Sequence, residues 1–233
     1  MKDTKHIMAS DNLAANQYLR PEFAALIEKG DGTMTKLGSA HEQFRRAHQL
    51  MRDAYSKRDP AKTQEAHFMH VRDLGMKSIK SAAKRADEAE AAAIAEITTT
   101  RTAMRSQLGL VEDHRAGEIR SMLRSMKQSE RDAILQEAIA TGDAKTIAAV
   151  VEAPAYLSGV KADRIKSLRG QYEAQHGGDY PARIAALEKA VAINRSTAED
   201  ALKFHGKLFP ADRVAEIEAK QAASRELLER LAS

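Results

Sequence analysis

A chain of 233 residues is long enough to bury a core without metal or disulfide support, and with no cysteine it can form neither a disulfide nor a thiolate zinc site. Its 37 Lys and Arg against 33 Asp and Glu give a net charge of +4 and a pI near 9.2. Only 4% of residues are aromatic, none is Trp, and Ala dominates the hydrophobic 43%, so large side chains able to bury area at about 25 cal/mol per Å² are few.

Ala, Glu, Lys, Arg, Gln and Met are strong helix formers, and they are abundant here, with 30% of residues charged. Strand-forming runs of Val, Ile, Tyr and Thr are missing, so the expected class is all-α. Met1 to Gln17 is polar and lacks the apolar run of an export signal, and no stretch approaches the roughly 20 apolar residues of a membrane span. Loose chain is expected before Ser10, and synthesis in the cytoplasm without export.

In chain order, Pro21 opens a short helix carrying Phe23, Leu26 and Ile27, which Gly30-Asp31-Gly32 closes. A second helix runs from about Thr35 to Lys57, with Leu37, Phe44, Ala47, Leu50, Met51 and Ala54 at three- and four-residue steps, and Asp59-Pro60 ends it. From Pro60 to Met126 no Pro or turn pair interrupts a long apolar-small series. As one helix it would reach about 100 Å, with Gly109 the place where a C-cap would split it in two. Ala at many of its positions, and Glu90, Thr100 and Arg115 on its seam, point to packing against its own chain or neighbouring copies and not to a free two-stranded coil.

Beyond Gln128 the punctuation is dense. Ser129-Glu130-Arg131-Asp132 looks like a capping box before Ile134, Leu135 and Ile139; Gly142 ends that helix and Asp143 starts the next; Ala153-Pro154 stops it. Further helices are expected at 160–175, 181–207 and 210–231, the last with Val214, Ile217, Leu228 and Leu231 on one face. The expected architecture is an elongated all-α protein. It has an arm at 1–34, a long-helix, hairpin or coiled-coil-like region at 35–127, and a bundle of short helices at 128–233.

The histidine pairs His41/His48 and His67/His70 each share a helix face, with Glu42, Glu65 and Asp73 nearby. Zinc would need a third and fourth ligand that the spacing does not supply, so surface or interhelical histidines are the expectation. His41-Glu42-Gln43-Phe44 lacks the second His of a zinc-protease helix. No nucleophile elbow is present, no glycine-rich loop ends in Lys-Ser or Lys-Thr, and Gly30-Asp31-Gly32 has no preceding strand. No catalytic residue, cofactor, metal or small-molecule substrate is therefore expected, and the chain is read as a non-enzyme.

Charge is uneven: residues 36–85 hold twelve Lys or Arg against five Asp or Glu, net +7, and the remainder holds 25 against 28, net −3. A basic arm of this kind can neutralise phosphates, with Arg45, Arg46, Lys80, Lys84 and Arg85 as candidate contacts to DNA. No aromatic platform accompanies them, so this is the alternative to a protein–protein role.

The run Gly142-Asp143-Ala144-Lys145-Thr146-Ile147-Ala148-Ala149-Val150-Val151, followed by Ala153-Pro154-Ala155-Tyr156-Leu157-Ser158-Gly159, resembles a stretch that follows a long charged helix in tailed-bacteriophage and prophage proteins of virion or assembly type. The resemblance implies a structural role in a virion and transfers no functional residue. The expectation is an oligomerising component of a larger particle, found in the virion or in the cytoplasm of the producing cell. It would contact further copies and other structural proteins through a seam of Met76, Ile79, Ile97, Met104, Leu108, Val111, Ile119 and Met122 and through the short helices around Ile134 to Leu157.

Overall fold

The computed structural model describes residues 10–111 and 113–232, and every regular element among them is helical. The expectation of loose chain before Ser10 falls outside the described residues. In order the elements are α1 (Asp11–Ala14), a 3-10 turn (Gln17–Leu19), α2 (Pro21–Glu28), α3 (Gly32–Ser56), α4 (Gln64–Gln107) and α5 (Ala116–Ser125). They continue with α6 (Gln128–Thr141), α7 (Ala144–Val151), α8 (Ala155–Ser158), α9 (Ala162–His176), α10 (Tyr180–Leu208) and α11 (Ala211–Ala232).

Local chemistry sets the ends. Pro21 sits in the first turn of α2, and the Asp31 carboxylate accepts the Met34 N–H at 2.9 Å to cap α3. Asp143 caps α7 by accepting from the Lys145 and Thr146 N–H groups. The capping expected at Ser129 lies earlier: α6 begins at Gln128, and the Glu130 carboxylate reaches back to the Lys127 N–H at 3.2 Å.

The series from Pro60 to Met126 is not one helix. It breaks at Gly109, whose φ of 65° would cost a residue with a Cβ about 1–2 kcal/mol. There the Leu110 N–H bonds back to the Arg105 carbonyl and the Gly109 N–H to that of Ser106, the paired bonds of a Schellman ending. α4 is nonetheless 44 residues long, about 66 Å. Its buried stripe runs Phe68, Val71, Gly75, Ile79, Ala82, Ala86, Ala89, Ala93, Ile97, Thr100, Met104. Ten steps over 36 residues is the period of a straight α-helix packed in a globular core, not the 3.5 of a supercoiled seam.

The chain forms two compact units: residues 1–93, so far as described, with 188–233, and residues 94–187. This differs from the three consecutive regions expected. α4 and α10 each contribute to both units, and the C-terminal helices belong with the N-terminal ones.

In the first unit Phe23, Met34, Leu37 and Phe44 are fully buried, and Phe68, Tyr55 and Phe209 form an edge-on aromatic cluster with centroids 5.1–6.4 Å apart. Gly75 lets α3 lie close to α4, because a Cβ there would meet the Met51 sulfur at 2.6 Å. A buried polar link ties α10 to the N-terminal helices. The Tyr18 hydroxyl lies 3.1 Å from both the Ala190 carbonyl and Asn194 Oδ1, and Asn194 Nδ2 donates to the Leu37 carbonyl at 3.1 Å. Burial raises the Tyr18 hydroxyl's pKa, which keeps it protonated as a donor.

In the second unit α7 is the centre, with Ile147, Ala148, Ala149, Val150 and Val151 all buried against Leu123, Leu135, Leu168 and Tyr172 of the surrounding helices. Arginines bind these short helices to one another. Arg131 donates to the carbonyls of Leu123 (2.8 Å), Met126 (3.0 Å) and Gly159, Arg124 to that of Leu157, Arg120 to that of Ala149 and Arg169 to that of Val151. Helix ends leave carbonyls unpaired, and these guanidinium forks satisfy them.

Candidate functional site

Three of the four singled-out histidines are tied into the chain. His41 is fully buried beside the Tyr18 ring, centroids 5.3 Å apart; burial first and the Arg45 charge second push its pKa down to about 4. His48 stands edge-on to Phe204 at 4.3 Å and is likewise lowered, mainly by burial and then by Arg52 and Arg45. His67 Nε2 lies 2.9 Å from the Ala54 carbonyl, and His70 is exposed. Among the described residues no group of three or more His, Asp or Glu is placed to hold a metal ion.

The expected seam is divided by the fold. Ile79, Ile97, Met104 and Leu108 are 2–7% exposed, buried by this chain, so they are spent on the core and present nothing to a second copy. Met76 and Ile119 are half-buried, whereas Val111 and Met122 are exposed at 66% and 44%. Ile79, Ile97 and Met104 are covered because they follow the face that α4 turns inward.

The candidate basic residues separate by pairing. Arg45 is held by Glu42 at 2.5 Å and half-buried. Arg46, Lys80, Lys84 and Arg85 are exposed, and among the described residues none of them makes an ion pair or hydrogen bond. Lys77, which sequence reasoning passed over, belongs with them; its spacing of three and seven to Lys80 and Lys84 is the signal that could have found it.

Three of these cations surround a groove of about 550 Å³ between α3 and α4. α3 contributes Gln43, Arg46, Ala47 and Leu50; α4 contributes Leu74, Lys77, Ser78, Ser81, Ala82 and Arg85. No acid lines it. Its floor is the buried pair Ala47 and Ala82, and at one end Leu50 and Leu74 stand 60% and 51% exposed. These are two of the large apolar side chains that the first unit leaves in water, and they sit beside unneutralised positive charge.

A second uncovered surface is the end of α11. Ile217 is buried, Glu218 pairs with Arg72 at 2.9 Å and Lys220 with Glu65 at 3.3 Å. From Gln221 to Ala232 every residue is exposed, including Leu227 at 61%, Leu228 at 62% and Leu231 at 84%. Leu228 and Leu231 fall in line with Val214 and Ile217 on one face of α11, with the polar Gln221 and Ser224 between the two pairs.

In the second unit many charged groups are engaged with one another and with backbone. Glu152 bonds Arg105 and lies 3.3 Å from Arg169, and Arg183 pairs with Glu96. The Glu173 carboxyl is raised by burial, an effect that Arg169, Arg101 and Arg105 oppose. No helix among the described residues is long and apolar enough to cross a membrane. The chain matches no family model, no curated protein and no solved structure.

Proposed function

We propose that this protein is a non-catalytic, oligomerising structural component that associates with further copies of itself through the leucine face of α11. The observation that carries this reading is the uncovered helix Gln221–Ala232. A helix of about a dozen residues without tertiary contacts is marginal in water, so its order and its leucines call for a covering surface. Leu228 and Leu231 stand three apart on one face with Leu227 beside them, a short apolar strip that the same strip of a like helix can cover, which makes a second α11 the fitting cover. The setting we propose, a particle of tailed-bacteriophage type, rests on the resemblance of residues 142–159.

Sedimentation of the full chain across the micromolar range, beside a Leu228→Glu/Leu231→Glu variant, tests the reading. The wild type is expected to gain mass with concentration and the variant to stay a single copy, losing at most the helical circular dichroism of the last dozen residues. A wild type that remains one copy throughout, or a variant that assembles equally well, would overturn it.

A further inference from the structure

We propose that the groove between α3 and α4 is a docking site for an acidic amphipathic helix of a partner protein. The groove is basic without compensation: Arg46, Lys77 and Arg85 line it, no carboxylate does, and none of the three has an ion-pair or hydrogen-bond partner among the described residues. The chain pairs many of its other exposed cations, including Lys189, Arg195 and Lys220 of the same unit. Charge complementarity therefore calls for an acidic occupant.

Shape and apolar content decide which acidic occupant. From Leu74 to Arg85 the groove spans about 16 Å, three turns of helix. Ala47 and Ala82 make a low floor on which a third helix can lie across two packed ones, and Leu50 and Leu74 supply apolar contact at one end. A helix with Leu or Ile at i, i+3 or i+4, and i+7, and Glu or Asp along its flanks, meets all of these at once. A nucleic-acid backbone would use the cations but leave the leucines facing phosphate, and no aromatic side chain lines the groove to stack on a base.

The test is selection of a displayed library of 16-residue peptides on the full chain, with Arg46→Glu/Arg85→Glu as counter-selection and a 20-base-pair DNA duplex as a parallel probe. Enriched peptides are expected to be net acidic with that apolar spacing. They should weaken at least tenfold on the charge-reversed variant, on Leu50→Asp, and on raising salt. Leu50, Arg46 and Arg85 are exposed, so circular dichroism should confirm that each variant is folded. No enrichment, or enriched peptides indifferent to both variants, would overturn the proposal. So would binding of the duplex that the charge reversal abolishes and Leu50→Asp leaves intact. Self-association through α11 is read by sedimentation and can stand or fall apart from this result.

Discussion

The two units differ in what their arginines hold: backbone carbonyls at helix ends in one, and side-chain carboxylates or nothing in the other. In the unit built around α7, Arg120, Arg124, Arg131 and Arg169 are spent on helix-end carbonyls, and Arg105 and Arg183 on buried-edge carboxylates. In the unit built around α3 and the first part of α4, Arg46, Lys77, Lys80, Lys84 and Arg85 are attached to nothing within the described chain. The first unit closes instead on neutral rings and amides: His41, His48, Tyr18, Asn194. Where short helices end close together, unpaired carbonyls hold the guanidinium groups; along long helices a cation is held only where a carboxylate faces it, as Glu218 faces Arg72 and Glu90 faces Arg195.

Acid breaks this comparison most strongly. The folded pKa of His41 lies near 4 against about 6.5 in the unfolded chain, so its contribution is fully present above pH 6.5. It is lost as pH falls from about 6.5 to 4, a change of about 3 kcal/mol. Hydrogen exchange at pH 5 should open α3 and the second part of α10 before α7, and His41→Gln should flatten the pH dependence. Simultaneous opening of both units would count against the difference drawn here.

Truncating arginines gives a smaller contrast. Arg131→Met strips three carbonyls of their donor and is expected to cost about 1–3 kcal/mol in urea unfolding. Arg46→Met, exposed and unpaired, should change stability by less than about 0.5 kcal/mol. Equal effects would mean that the two sets of cations do not differ in role.

Much of the helical order was legible because its signals are local. Pro21, Asp31, Gly109, Gly142, Asp143 and Pro154 act through their own φ angles, caps or missing N–H groups, and each marks an end or break where the sequence places one. What was not legible is which surface each periodic stripe faces. Ile79, Ile97, Met104 and Leu108 read as a seam for another copy because apolar spacing does not tell a neighbouring helix of the same chain from one of a different chain. The distinction lies in burial, which local spacing does not carry: Ile79 is covered within the first unit and Ile97, Met104 and Leu108 within the second. The division into units was hidden for the same reason: nothing in residues 188–208 says that Asn194 will reach the Leu37 carbonyl. Arg45 and Arg46 are adjacent and alike in sequence, yet one is held by Glu42 and the other lines the groove.

Self-association through α11 is tested most directly by hydrogen exchange of Gln221–Ala232 as a function of protein concentration. Protection in that segment should rise as the chain is concentrated and vanish on dilution, while α4 stays protected throughout. Protection that is absent at every concentration, or equally strong in a single copy, would contradict it.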